Sequence, residues 1–439
     1  MIRTFAYPSK EAEERINHIV RRGIGIDSKV EREVRGILAA VRRDRDRALI
    51  RYVRQFDAPS MDINMLRVSE DEIKAAYKEV DNKFLEIIKQ AICHIEDFHK
   101  RQLRTSWFEA RSDGTIVGQM IRPVTSAGIY VPGGKGGETP LISTVLMGAV
   151  PARLAGVKDI ALVTPPRPDG SVNSFLLVAA HEAGVSRIYK LGSAWAIAAL
   201  AYGTETIKPV DIIVGPGNIY VTLAKKLLLG EVGIDLLAGP SEILVIADAD
   251  ADPRYIASDL ISQAEHDAMA TSVLVTPSRE IAELVASNIE DQIDRLPRRD
   301  IARASLESYG TAFVTRDLDQ AIEVANHIAP EHLELMVADP WVLLGRISNA
   351  GAIFIGPNSP EAVGDYFAGP NHILPTAGTA RFASALGVEH FLKKTSIIAY
   401  SEKALEQDAE SIIRLAELES LEAHAASIKI RLKTMLSES

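Results

Sequence analysis

Residues 159–191, DIALVTPPRPDGSVNSFLLVAAHEAGVSRIYKL, hold the pattern that decides the fold. An apolar run, DIALVT (159–164), is followed by a stretch of helical length at 171–184 and by a second apolar run, RIYKL (187–191). Strand, helix and strand in that order imply a parallel pair joined by a crossover helix. The alternation extends outward. GIYV (128–131) precedes it, and DIIVG (211–215) and EILVIA (242–247) follow, with 139–155, 194–203 and 217–229 of helical length between them. A second series repeats the arrangement: SVLVT (272–276), AFVT (312–315), LELMV (333–337) and AIFI (352–355). These strands are nearly continuous apolar runs, as sheets covered on both faces require.

The remainder of the chain reads as helix. Val30, Val34, Ile37, Leu38, Val41, Leu49 and Val53 recur at helical spacing over 29–56. Ser69 and Glu72 form a capping box that opens a second helix, expected to run to about Leu103. The tail from 401 to 437 is helical and highly charged. Two readings of that tail stand: it completes a partner subunit, or it docks on its own chain. The expected fold is α/β, with two Rossmann-like parallel-sheet domains and helical N-terminal and C-terminal segments. Its parts are a helical segment at 1–28, a discontinuous α/β domain from 29–129 and 243–380, a second α/β domain at 130–242, and a tail at 381–439.

A chain of 439 residues exceeds what one hydrophobic core supports, so more than one domain is required. With 47% hydrophobic and 25% charged residues, the composition is that of a soluble globular protein. No apolar run reaches the roughly 20 residues of a membrane span. The N-terminal stretch lacks the apolar core and small-residue site of a secretory signal. The lone cysteine, Cys93, excludes an intrachain disulfide, and cytoplasm is the default compartment. A net charge of −10 argues against nonspecific nucleic-acid binding. VRRDRDR (41–47) and LPRRDIAR (296–303) mix acidic with basic residues and read as solvated helix faces.

Two glycine clusters follow predicted strands and precede predicted helices, where backbone N–H groups and a helix N-terminus can hold an anion. In GIYVPGGKGG (128–137) Lys135 is followed by Gly136, so the Walker A pattern fails. VGPGNIYV (214–221) lacks the third glycine of a dinucleotide fingerprint. Anion or cofactor contact and a simple tight turn are both open for each loop.

Four segments concentrate polar chemistry. In ASDLISQAEHDA (257–268), Gln263 and His266 are three apart on one helix face. In NHIAPEHLEL (326–335), Pro330 disfavours helix at Ala329 and puts Glu331 and His332 at a junction where side chains project. GDYFAGPNHILPT (364–376) sets Asp365 and His372 in a turn-rich loop. LAELESLEAHAA (415–426) holds Glu419 and His424 about 140° apart around a helix axis. Two histidines, a carboxylate and an amide oxygen suit a cation such as zinc, spread along the chain as in a catalytic rather than a finger-type site. A set of buried, hydrogen-bonded histidines is the competing account. His18, His94, His99, His181 and His390 read as surface or internally satisfied histidines.

Taken together, GIYVPGGK, VGPGNIYV, LAGPSEILVIAD, DLISQAEHD, IAPEHLEL, GDYFAGPNHILPT and the Glu419–His424 pair resemble histidinol dehydrogenases, in the family's order and over nearly the whole chain. The resemblance implies a dehydrogenase that oxidises L-histidinol through the aldehyde to L-histidine with two NAD, the last step of histidine biosynthesis. It implies one zinc per subunit held at Gln263, His266, Asp365 and His424. It implies proton transfer by Glu331 and His332, and substrate contacts at Ser241, Gln263, His266, His332, Asp365, His372, Glu419 and His424. It makes 130–242 the NAD domain, with Tyr130 and Asn218 as contacts, and it implies a homodimer whose C-terminal region reaches the neighbour's site. No nucleic acid or membrane partner is implied. The sequence departs from the family pattern twice. Trp195 stands where a glutamine that touches NAD is usual, and GGKGGETPLIST (133–144) is longer by about two residues. A related enzyme with the same machinery and a different polyol or amino alcohol is the alternative.

Overall fold

The structure is a computed structural model, and it describes residues 2–22, 28–134, 137 and 139–438, with side chains through 434. In chain order, β1 (Arg3–Ala6) is followed by α1 (Lys10–Arg21), α2 (Ser28–Asp44), α3 (Asp46–Phe56), α4 (Glu70–Glu79) and α5 (Asn82–His99). Strands β2 (Trp107–Ala110) and β3 (Ile116–Pro123) come next. Then follow β4 (Ser126–Tyr130), α6 (Ile142–Ala155), β5 (Asp159–Thr164), α7 (Ser174–Glu182), β6 (Arg187–Lys190), α8 (Ser193–Tyr202), β7 (Ile212–Val214), α9 (Ile219–Leu228) and β8 (Gly233–Ile234). The second series is β9 (Glu242–Ala247), α10 (Pro253–Ala264), β10 (Thr271–Thr276), α11 (Arg279–Ile293), α12 (Arg299–Tyr309), β11 (Thr311–Val314), α13 (Leu318–Ile328), β12 (His332–Met336), α14 (Pro340–Leu344), β13 (Ala352–Ile355) and α15 (Glu361–Tyr366). The chain closes with β14 (Leu392–Ala399), α16 (Glu402–Leu418) and α17 (Glu422–Glu438).

The chain divides into two compact units, residues 1–102 with 124–391, and residues 103–123 with 392–439. The larger unit contains two parallel sheets, in the orders β6-β5-β4-β7-β8 and β1-β11-β10-β9-β12-β13. Numbered from its own first strand, each sheet runs 3-2-1-4-5, five strands of the 3-2-1-4-5-6 order of doubly wound nucleotide-binding sheets. The second carries β1 as an added edge, Arg3 beside Thr311. The α/β reading with two parallel sheets therefore stands. The central strands are buried throughout, which is why they read as unbroken apolar runs.

Several local expectations change. The helical run over 29–56 breaks at Arg45, whose φ is 52°, and whose guanidinium donates to the carbonyls of Tyr202 and Gly203. The capping box is present, with Ser69 Oγ accepting from Glu72 N and Glu72 accepting from Ser69 N. The helix it opens stops at Glu79, because Asp81 caps a new one by accepting from Phe84 N at 2.7 Å. Residues 3–6 are a strand rather than helix, too short to show a period. Helices α2 and α3 share a core with α8 and α9 on the five-stranded sheet. The loop expected to be longer at 133–144 lies partly outside the described residues.

The smaller unit is a three-stranded antiparallel sheet, β14-β3-β2, with Leu392 beside Pro123 and Trp107 beside Gln119, together with α16 and α17 packed on each other. The sequence reading contained no such sheet. Its strands mix exposed polar and apolar residues, so neither an apolar run nor a clean alternation marks them.

Candidate active site

Two edges of the larger unit concentrate the candidate residues. The first is the carboxyl end of the five-stranded sheet. Tyr130 closes β4 and is buried, and its hydroxyl accepts from Ser193 N at 3.1 Å. Burial pushes its phenol up to about 12. Gly215 follows β7 with φ 113°, and a Cβ there would lie 2.2 Å from the Tyr130 carbonyl oxygen, so only glycine lets the loop lie this close to β4. Lys225 and Asp235 form a buried ion pair behind the loop, and both hold Gly215, the lysine at the carbonyl and the aspartate at the N–H. Asn218 caps α9 by accepting from the N–H groups of Tyr220 and Val221 at 3.1 and 3.2 Å, so its amide nitrogen is the end open to a ligand. Trp195 is 5% exposed and stacks with Tyr52 and Phe56 at 5.4 and 5.5 Å between ring centroids. It is packed into a core rather than laid open on the loop. The strand order switches direction between β4 and β7, the crevice in which doubly wound sheets take nucleotides.

Residues 235–241 lead directly from β8 into β9, so the carboxyl edge of the first sheet runs into the amino edge of the second. The second cluster sits there. Helix α13 ends at Ile328, Ala329 is left-handed at φ 53°, and β12 begins at His332. Glu331 and His332 are both buried and lie against the first residues of β9. The His332 Nδ1–H donates to the carbonyl oxygen of Glu242 at 2.9 Å. His332 Nε2 is buried with no hydrogen-bond partner among the described residues. Burial pulls the His332 ring below the usual histidine range, with Asp365 opposing. Burial, reinforced by the Glu242 and Glu361 carboxylates, holds Glu331 well above the usual carboxylate range.

Gln263, fully buried near the end of α10, contacts His332 Nδ1 at 3.0 Å. With its amide nitrogen turned to the Glu361 carboxylate (3.2 Å) and the Glu242 carbonyl (3.0 Å), that nitrogen also meets His332 Nδ1 at 3.0 Å, so the Gln263 orientation and the His332 tautomer are set together. The amide oxygen then faces away from those acceptors. The helix ends at Ala264, so His266 lies in the turn just beyond it rather than on the helix face shared with Gln263 that the spacing implied; its Nδ1–H donates to the Ser262 carbonyl at 3.0 Å, leaving Nε2 as the free ligand nitrogen. Helix α15 supplies Glu361 and Asp365, four residues apart and so on one face. One ligand atom each from His266, Glu361 and Asp365 fall within 4.8 Å of one another. Burial and the Asp365 carboxylate push Glu361 up to about 8. His372 Nδ1 lies 3.7 Å from Asp365, and its Nε2 lies 3.5 Å from Thr144 Oγ1.

The fold thus assembles Gln263, His266, Glu331, His332, Asp365 and His372 from three separate segments. Ser241 immediately precedes β9, and its carbonyl accepts from Arg22 at 3.2 Å. Glu419 and His424 belong to the smaller unit, at the end of α16 and the start of α17, and both are exposed. Two buried acids were missed. Glu361 stands four residues before Asp365, a helical spacing that the loop-like text conceals. Glu242 is the one charged residue in EILVIA, an anomaly in a buried strand that signals a polar partner.

A cation fits this donor set. A nitrogen with its other ring position fixed, an amide oxygen and two carboxylates are hard-to-borderline ligands, and two of the acids are otherwise crowded without a counter-charge. The dinucleotide fit rests on the glycine loops at the switch point.

The family model described as histidinol dehydrogenase matches residues 21–432. The histidinol dehydrogenase of Desulfotalea psychrophila is 56% identical over 407 residues, covering 93% of this chain and 94% of that protein. That of Oleidesulfovibrio alaskensis is 55% identical, covering 98% and 99%. The crystal structure of histidinol dehydrogenase from Elizabethkingia anophelis superposes with a TM-score of 0.92 at 37% identity, over 99% of this chain and 98% of that one. The chain belongs to the histidinol dehydrogenase family, an oxidoreductase family of histidine biosynthesis.

Proposed function

We propose that the protein oxidises L-histidinol to L-histidine in two NAD-linked steps at a single zinc site, as a homodimer in the cytoplasm. The observation that most supports this is the unpartnered Nε2 of His332, buried beside the His266, Glu361 and Asp365 cluster. Among the described residues no helix is long and apolar enough to cross a membrane.

Gln263, His266 and Asp365 would hold the zinc, with His424 of a second copy completing the set and Glu361 beside it. When bound, zinc fixes the amino alcohol by its nitrogen atoms and raises the acidity of its hydroxyl. His332 Nε2 takes the hydroxyl proton, and the carbinol hydrogen leaves as hydride to NAD, giving the aldehyde. Nδ1 stays hydrogen-bonded to the Glu242 carbonyl throughout, so the ring is held in the tautomer that leaves Nε2 basic. Glu331 takes a proton from water as its oxygen adds to the aldehyde carbon, and protonated His332 returns its proton to the aldehyde oxygen, giving the hydrate and freeing Nε2. The hydrate then loses a second hydride to a second NAD, and His332 again accepts the hydroxyl proton. Asp365 orients His372, and Ser241 and His372, with Glu419 of the second copy, contact the substrate. Tyr130 and Asn218 line the dinucleotide crevice, and Trp195 supports it from beneath. The domain division that follows is functional: 130–242 holds NAD, and the elements around β9 and β12 hold substrate and metal.

The test is NADH formed per L-histidinol, run to completion. Two, lost on chelation and restored by zinc, is the expected result; one would remove the second oxidation, and none would favour a different alcohol.

A further inference from the structure

Glu242 has its backbone and its side chain engaged by the two groups that move protons. Glu331 lies beside Glu242 in the β9–β12 register, and the two residues are reciprocally bonded. Glu242 N–H donates to Glu331 Oε2 at 3.0 Å, and Glu331 N–H donates to Glu242 Oε2 at 3.3 Å. The Glu242 carbonyl takes the His332 Nδ1–H. The other carboxylate oxygen, Oε1, accepts from Ala377 N at 3.2 Å and faces Arg22 NH1 at 3.2 Å. The side chains of Arg22 and Glu242 are 1% and 3% exposed. Arg22 also donates through NH2 to the carbonyls of Pro240 (2.9 Å) and Ser241 (3.2 Å). One guanidinium therefore fixes three consecutive residues at the entrance to β9.

We propose that Arg22 and Glu242 are positioning residues, a buried ion pair whose carboxylate anchors the Glu331 peptide N–H while the Glu242 backbone carbonyl sets the orientation of the His332 ring. The inference rests on the reading that Glu331 activates water in the aldehyde half of the reaction. The Glu242 carboxylate is held between Arg22 and the backbone N–H groups of Glu331 and Ala377, so the ion pair fixes the peptide from which Glu331 projects. A side-chain substitution at Glu242 loosens the anchor on the Glu331 peptide, while the His332 Nδ1 contact, which runs to the Glu242 backbone carbonyl, is kept. The two halves of the reaction should separate.

Glu242→Gln keeps size and backbone and removes the charge. The measurement compares its rates starting from L-histidinol to the aldehyde and from the aldehyde to L-histidine, alongside zinc content and melting temperature. The expected result is an aldehyde-to-acid rate down at least about tenfold, with KM for L-histidinol and zinc content within about twofold of the parent protein. Arg22→Met should shift the balance in the same direction, and Arg22→Lys should recover part of the loss by restoring a cation. If Glu242→Gln does not fold, the Arg22 pair decides the matter by the same ratio. Equal loss in both halves, or no loss in either, overturns the inference. A parent protein that yields no NADH from L-histidinol instead overturns the functional reading beneath it, whatever the variants do.

Discussion

His332 Nδ1 and the carbonyl oxygen of Glu242 lie 2.9 Å apart, and this contact decides which ring nitrogen is free to accept a proton. A carbonyl only accepts, so Nδ1 carries the proton and Nε2 the lone pair. Burial keeps the ring neutral, so it is already in its basic form near pH 7. His332→Asn should lower kcat by about 10²–10⁴-fold while zinc content is unchanged. Metal analysis beside steady-state kinetics checks both halves of the statement; unchanged kcat would remove His332 as the base.

Glu331→Gln should stop the reaction midway. The variant is expected to give one NADH per L-histidinol and to accumulate aldehyde, which a carbonyl-trapping reagent would report. Two NADH with normal rate would mean that another group activates the water.

Glu361 and Asp365 face the same space from one turn of α15, with His266 opposite. Chelation should abolish turnover, and added zinc should restore it. Asp365→Asn should lose zinc outright. Glu361→Gln should weaken retention by about 10–100-fold, the range seen when a group supporting the ligands is lost. Competition with a chromophoric chelator would measure the difference. Equal affinity in the Glu361 variant would make that carboxylate a spectator.

Asp57 is titratable away from the catalytic cluster. Burial raises its carboxyl to about 7, and Oδ2 has no hydrogen-bond partner among the described residues. The folded state therefore keeps a proton that the unfolded chain has released. That favours folding at low pH, and the contribution declines as pH rises from about 4 to about 7 and is flat above. Asp57→Asn should raise the melting temperature, and by more at pH 8 than at pH 5. An equal gain at both values would show that Asp57 titrates normally in the folded protein.

Trp195→Ala should cost about 3–5 kcal/mol of stability, because a buried indole leaves the stack with Tyr52 and Phe56. Trp195→Gln, the residue usual in the family, should also change KM for NAD. Denaturant unfolding and NAD titration separate packing from cofactor effects.

Legibility followed burial. The central strands are covered on both faces and can be read directly as apolar runs, and the Glu331–His332 pair is legible because Pro330 marks a junction. The antiparallel strands around Trp107 and Ile398 escaped because one face is open and their alternation is irregular. Helices α2 and α3 were recognisable as helices, yet their attachment to the five-stranded sheet depends on which apolar faces meet, and periodicity does not encode that. Glu361 was hidden because α15 is only six residues long and lies between prolines and glycines. Arg22 is far in sequence from Glu242, and no local pattern pairs them.

The three-stranded sheet also bears on synthesis. β2 and β3 leave the ribosome early, but β14, which pairs with the full length of β3, comes only after residue 392. Until then the nascent chain holds a two-stranded ribbon, which is marginal in water, with Trp107 and Phe108 exposed even in the finished fold. The smaller unit is therefore the last part of this protein to fold, and the stretch around residue 107 is where a stalled or shortened chain would first be bound by a chaperone or begin to aggregate.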